Sequence, residues 1–284
     1  MKLPFKVDLT DKVAVVTGGS GVLCSELAAA LAASGAKVAV LGRNAEAAEK
    51  TAVRLRAFGG SAIGVSANVL DRPSLDTAAE RVLKELGPCD LLINGAGGND
   101  PKGTTSKEWF EPDDLRQDSL VTFFNLDPKS VEFVFNLNFL GTLLPTQVFA
   151  RQMLGRSGCS IINISSMNAL RPLTKIPAYS GAKAAISNFT QWLAVHFAKA
   201  GIRVNAIAPG FFLSEQNRKL LIDEKTGEFT ARAQKIVAHT PMGRFGESRE
   251  LIGTLLWLAS EEGSGFVNGV VVPVDGAFSA YAGV

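Results

Sequence analysis

The chain has 284 residues and a mass of 30.0 kDa, with 46% apolar and 20% charged residues, a balance too hydrophobic for disorder and a length that needs no disulfide or metal staples. Lysine and arginine number 29 against 27 for aspartate and glutamate, and the net charge of +2 argues against a dedicated nucleic-acid surface and points to a small-molecule partner. Three cysteines, Cys24, Cys89 and Cys159, with no CxxC pair predict a reducing compartment, the cytoplasm. Two histidines far apart, His196 and His239, predict no metal site. MKLPFKVDLT has no sustained apolar stretch and no window holds about 18 uninterrupted apolar residues, so neither an export signal nor a membrane span is predicted.

From Val13 onward, short apolar runs alternate with stretches of helical period, the pattern of βα units around a parallel sheet buried on both faces. Seven strands are predicted, at 13–17, 37–41, 61–66, 90–94, 160–165, 202–208 and 270–274. Helical patterns cover 25–33, 45–57, 74–86, 131–153, 178–200 and 249–260. No repeat or low-complexity linker divides the chain. The prediction is therefore one α/β domain over 1–284, a Rossmann-type doubly wound sheet with helices on both faces and ligand chemistry at the carboxyl ends of its strands. Two connections, 99–130 and 211–246, are too long for ordinary α/β turns. They carry aromatics, among them Trp109, Phe110, Phe123, Phe124, Phe211 and Phe212, and leave the same edge of the sheet. That predicts lids that jointly cover a substrate, with plain surface decoration as the alternative.

Between the first strand and its helix the chain reads TGGSGVLC, Thr17 to Cys24. Glycines here let the backbone of Gly18, Gly19, Ser20, Gly21, Val22 and Leu23 wrap a pyrophosphate at the positive end of the helix. Such a turn by itself is equally compatible with no nucleotide, and its place in a βαβ unit tips the balance toward one. Gly42, Arg43 and Asn44 end the second strand, where a carboxylate would select a free 2′-hydroxyl. Room plus a cation there favours NADPH over NADH, although a lone arginine at a strand end is often merely solvated. Asn68 and Val69 are placed to meet the adenine, and Asn94, Gly95, Ala96 and Gly97 end the fourth strand with small residues against which a cofactor can lie.

In SSMNALRPLTKIPAYSGAK, Ser166 ends a buried strand, and Tyr179 and Lys183 follow on a helix whose first turn holds Pro177. Four residues apart, the phenol and the ammonium share one helix face. A cation about 4 Å from a phenol at an effective dielectric near 20 is worth about 4 kcal/mol, roughly three pKa units. That predicts a phenol able to exchange protons near neutrality. The same pair in an arbitrary helix is an ordinary amphipathic spacing.

Taken together, these motifs resemble the short-chain dehydrogenase/reductase family over essentially the whole chain: the TGxxx turn, NGAG, NLNFLGT, a serine thirteen residues before the tyrosine, YxxxK and VNAIAPGF. The resemblance implies that Tyr179 is the general acid/base, that Lys183 lowers its pKa and holds the nicotinamide ribose, and that Ser166 hydrogen-bonds the substrate oxygen. It implies that Asn138 helps hold a water that relays protons to Lys183, while Ser165 and Asn136 are structural. Pro209, Gly210, the Phe212 backbone and Ser214 would hold the carboxamide side of the nicotinamide. The chain departs from the family's TGxxxGxG at Val22 and Cys24, leaving flexibility to Gly18, Gly19 and Gly21. The implied chemistry is metal-free hydride transfer between NAD(P) and a carbonyl or secondary alcohol. The implied assembly is a homotetramer built through the helices around Asn138 and Tyr179.

The stretch NDPKGTTSKEWFEPDDLRQDSLVTFFNLDPKSVEFVFNLNFLGTLLPTQ, with FFLSEQNRKLL and HTPMGRFG, is similar to a branch of that family known as D-mannonate oxidoreductases or fructuronate reductases. Asn138 follows Asn94 by 44 positions, roughly 20 more than is usual in the family, and an insertion of that size commonly serves function. For a six-carbon keto sugar acid, Arg171, Lys175, Lys102 and Arg218 offer cations and Asn168 a hydroxyl partner, although each alone is more often surface polarity than ligand. Two other readings stand beside D-fructuronate/D-mannonate. One is the same chemistry on a polyol, a gluconate-type acid, a 3-oxoacyl thioester or a steroid. The other is a non-catalytic dinucleotide sensor, against which intact Ser166, Tyr179 and Lys183 count.

Overall fold

Alternate residues of a strand face opposite sides of a sheet, and here both sides are apolar. In the computed structural model, which describes residues 7–213 and 218–283, this produces seven parallel strands. They are β1 (Val13–Thr17), β2 (Lys37–Gly42), β3 (Ala62–Ser66), β4 (Leu91–Asn94), β5 (Cys159–Ile164), β6 (Ile202–Pro209) and β7 (Val271–Val274). The order across the sheet is β3-β2-β1-β4-β5-β6-β7. Ala14, Val16, Val38, Val40, Leu91 and Ile93 pack on one face against α1 (Val22–Ala33), α2 (Ala45–Arg56) and, further along the chain, the helix Ile252–Ala259. Val13, Val15, Ala39, Leu41 and Leu92 pack on the other, against α3 (Arg72–Glu85) and later helices. The chain runs outward from β1 to β3 and returns to β4 beside β1, so a crevice opens at the carboxyl ends of β1 and β4.

The helix predicted over 131–153 is not uniform. It divides into α4 (Pro128–Phe135), a π turn (Asn136–Leu140), α5 (Gly141–Phe149) and a 3₁₀ turn (Ala150–Met153). In the π turn the Gly141 N–H reaches back to the Asn136 carbonyl, and Pro145 within α5 has no N–H to give. The run Pro128–Met153, 26 residues whose most apolar 18-residue window has a mean hydropathy of 1.3, is long and apolar enough to cross a bilayer, which the sequence reading did not anticipate. Half of its most apolar window is buried within the protein, and Asn138, Thr142 and Thr146 hydrogen-bond inside the fold, as in a core helix. After it come α6 (Pro177–Phe197), α7 (Arg218–Leu221), α8 (Ala231–Ala238), α9 (Ile252–Ala259, the helix noted above) and α10 (Glu261–Ser264).

The two long connections fold differently. Residues 99–130 form three 3₁₀ turns, Pro101–Gly103, Pro112–Arg116 and Phe123–Asn125. The described part of 211–246 gathers Leu221, Ala233, Ile236 and Phe245 into a small core of its own around α7 and α8. It is pinned at its base by a bridge between Phe212 and Gly246.

Candidate active site

A cleft of about 710 Å³ occupies the crevice. Its floor begins at the glycine turn, where Gly18 has φ +63° and a Cβ would lie 3.0 Å from the backbone of Ala96. Only glycine takes that conformation and that approach without strain. At the cleft α1 starts from Gly21 with neither a side-chain cap nor an acidic residue in its first turn, the arrangement that suits a bound anion. Gly18, Ser20, Gly21, Val22, Leu23, Arg43, Asn44, Asn68, Val69, Gly95, Ala96, Gly97, Pro209, Gly210 and Phe212 all line this cleft together with Ser166, Tyr179 and Lys183. A bare helix start, a side-chain-poor wall and a cation at the tip of β2 fit a dinucleotide.

Two members of the predicted set face elsewhere. A Cβ on Gly19 would stand 2.8 Å from the Val16 carbonyl oxygen and 3.0 Å from Val40 Cγ1, so that glycine packs the turn against β1 and β2. Asn94 is buried, its Nδ2 donating to Thr146 Oγ1 and Asn163 Oδ1 at 2.9 Å each, which ties β4 to α5 and β5. Ser214 lies outside the described residues. Sequence reasoning missed Phe133 and Leu137, which reach the cleft from α4 and the π turn. Their spacing of four on one helical face was the available signal. Ser165, which the resemblance made structural, also lines the cleft, while its hydroxyl bonds the Lys183 carbonyl and Ser187.

Ser166 follows β5 and accepts the Asn168 N–H at Oγ, 3.2 Å away. Tyr179 sits in the first turn of α6, and Lys183 one turn later is only 4% exposed. The Lys183 ammonium donates to the Ile164 carbonyl at 2.8 Å and lies 5.5 Å from the centre of the Tyr179 ring. Burial pushes Lys183 down to about 8. Burial also pushes the Tyr179 phenol up to about 12, with a hydrogen bond from Ser166 pulling the other way. This corrects the expectation of a phenol acidified by its neighbour. The ammonium lies over the ring and hydrogen-bonds a carbonyl, and desolvation of the phenol outweighs the lowering by Ser166.

Asn138 is wholly buried in the π turn. Its Nδ2 donates to the Gly98 and Val134 carbonyls at 2.7 and 2.8 Å. It stands behind the cleft wall, not on it: a Cβ on Gly97 would be 2.6 Å from Asn138 Oδ1 and 3.3 Å from Lys183 Nζ.

The predicted substrate residues do not line the cleft. Asn168 is buried with its Oδ1 lacking a hydrogen-bond partner. The Arg171 guanidinium donates to the Tyr281 carbonyl of the C-terminal tail. Glu108 bonds Lys235 through both carboxylate oxygens at 2.6 Å, and Lys235, with lesser help from Lys175 and His239, holds its carboxyl below the usual range. Arg218 and Lys102 are exposed.

A doubly wound sheet with an anion-ready glycine turn at its switch point, and a serine, tyrosine and buried lysine on the same cleft, defines an oxidoreductase of the dinucleotide-binding class. The chain belongs to the short chain dehydrogenase family, whose sequence model matches residues 12–225. It is similar to a solved protein from Haemophilus influenza, provisionally described as a D-mannonate oxidoreductase and holding NAD, with 58% identity, 98% of each chain covered and a TM-score of 0.93. It is 53% identical to UxuB of Bacillus subtilis (strain 168), an uncharacterized oxidoreductase, over 99% of this chain and 100% of that one. A gluconate 5-dehydrogenase from Burkholderia cenocepacia, solved with NADP and tartrate, is 30% identical with a TM-score of 0.80, covering 96% of this chain and 97% of its own.

Proposed function

We propose that the protein transfers hydride between NAD(P) and the carbonyl or secondary alcohol of a sugar acid, with D-fructuronate and D-mannonate as the leading pair. The observation that carries this is that Ser166, Tyr179 and Lys183 line one cleft, with the buried Lys183 ammonium 5.5 Å from the centre of the Tyr179 ring. When bound, the nicotinamide supplies or accepts the hydride. The chain's own residues handle the proton. Tyr179, protonated throughout the neutral range, donates its hydrogen to a substrate oxygen as negative charge develops there. Ser166 orients that oxygen, its own Oγ fixed by the Asn168 N–H. Lys183, charged below about pH 8, stabilises the phenolate that proton transfer leaves and holds the ribose, with Asn138 packed beside it. The reverse sequence oxidises an alcohol.

Support for a sugar acid comes from the similarity to the Haemophilus protein and to gluconate dehydrogenases. Arg43 beside Gly42 favours NADP, while the similar Haemophilus protein holds NAD. A cytoplasmic homotetramer completes the reading, with three buried free thiols suited to a reducing compartment.

The test is a panel of keto sugar acids, gluconate-type acids, 3-oxoacyl thioesters and steroids, followed by absorbance of the reduced nicotinamide. Reduction of the sugar acids is expected; turnover of thioesters alone would reject the substrate class. Tyr179→Phe is expected to bind NADH nearly as well as the unaltered protein and to lose turnover. Retained turnover in that variant would remove Tyr179 from its role.

A further inference from the structure

Cys24 stands where the family's turn has its last glycine, and its side chain is buried at the cleft. Sγ lies 3.8 Å from the Gly95 carbonyl oxygen. A Cβ added to Gly95 would stand 2.2 Å from that sulfur and 2.9 Å from the Thr17 carbonyl oxygen. The side chain at 24 and the lack of one at 95 are therefore a single packing solution. Gly97, two residues on, repeats it with Asn138 and Lys183 in the space its side chain would fill. Between the two glycines, the strip is hung from β1 by the Gly95 and Ala96 N–H groups, which donate to Thr17 Oγ1 at 3.1 and 3.2 Å. Burial pushes the Cys24 thiol up to about 11, so it is neutral filler in the electrostatic range of Lys183.

We infer that Cys24 is a positioning residue: by occupying the volume Gly95 leaves empty, it sets the Gly95–Gly97 strip against α1 and, through Gly97, seats the Lys183 ammonium at the cofactor cleft. The binding part of this inference stands on packing alone, and the link to Lys183 rests on the proposed hydride-transfer reading. Cys24 is placed to touch no reacting atom. Its thiol acts through the strip.

The experiment compares the unaltered protein, Cys24→Ala, Gly95→Ala and the double variant, using NADH as the probe and fluorescence to follow binding. Gly95→Ala is expected to weaken NADH binding about tenfold or more, the scale of an overpacked core. In the Cys24→Ala background the same change is expected to weaken it about threefold or less, because the overlap with the sulfur is gone, leaving the Thr17 carbonyl oxygen at 2.9 Å and the Cβ of residue 24 at 3.5 Å. Equal penalties in both backgrounds overturn the inference. If Gly95→Ala gives no folded protein, recovery of a folded, NADH-binding double variant is the same positive result, and failure to recover it is the negative one. A merely structural cysteine would leave the pH profile of NADH binding alone. Cys24→Ala loosens the strip that seats Lys183, lets water nearer the ammonium and moves the alkaline limb of that profile to higher pH; an unmoved limb overturns the link to Lys183. NADH binding by the unaltered protein tests the proposed function, whereas the difference between the two glycine substitutions tests this pairing.

Discussion

Lys183 is an ammonium with one carbonyl for company where water hardly reaches it. The drop from its ordinary 10.5 to about 8 corresponds to about 3 kcal/mol of destabilisation at neutral pH. Unfolded, the lysine keeps its proton up to the ordinary value; folded, it releases it from about 8. The penalty is thus whole below pH 8 and fades as pH rises toward 10.5. Lys183→Met is expected to raise the thermal unfolding midpoint at pH 7, the loss of the hydrogen bond to Ile164 returning about 1 kcal/mol of the gain. The advantage should shrink toward pH 10, and turnover should fall at every pH. A lower midpoint at pH 7 would mean the buried charge stabilises the fold. Tyr179 has the opposite sign: between pH 10 and about 12 the folded phenol keeps a proton the unfolded one has lost, so stability from this group declines as pH rises there. Residue spacing in the sequence was enough to put Ser166, Tyr179 and Lys183 together. It could not supply the direction of the phenol's shift, because desolvation depends on what packs above the ring, and four-residue periodicity carries no record of that. Gly19 and Asn94 show the same limit, since both sit inside a cofactor motif yet face the core.

At the scale of elements, strands were legible nearly to the residue because burial on both faces leaves uninterrupted apolar runs. The helix over 131–153 was read whole, while its π turn was not, since that turn is set by where Asn138 must reach to bond Gly98. The start of α1 was placed three residues late because Val22 and Leu23 looked like turn and are already helix. The long connections were legible as excess length and not as architecture. Lys235 of α8 pairs with Glu108 of the first connection across 127 residues of sequence, joining the two. Both side chains are partly exposed, so the pair contributes on the order of 0.2–1 kcal/mol to stability. Glu108→Gln is therefore expected to leave the unfolding midpoint within about a degree. It should make 211–246 two to five times more susceptible to limited proteolysis, within the roughly fivefold that 1 kcal/mol allows. Exchanging the charges, Glu108→Lys with Lys235→Glu, should restore protection. Equal cleavage rates in all three proteins would show that the connections move independently.

For the whole molecule, the informative surface is the outer face of α6. Phe139 meets Phe189, Phe189 stacks on Trp192, Trp192 on His196, and His196 leans on Phe197, with ring centres 4.7 to 6.1 Å apart. Trp192 is 55% exposed and Val195 80%, an aromatic and aliphatic ribbon facing outward from a single copy. The assembly implied by family resemblance runs through this helix, and a second copy on the ribbon would bury it. Trp192 lies nine residues beyond Lys183, about 14 Å along the helix, so a change there leaves the cleft untouched. Trp192→Glu would place an unpaired carboxylate in an apolar contact, a change worth about 2 kcal/mol or more in each copy. Light scattering after size exclusion should then report a smaller species than the unaltered protein, with NADH binding per chain kept within about threefold, since less than 1 kcal/mol reaches the cleft. An unchanged mass would mean that the copies meet elsewhere and that this ribbon serves a single chain.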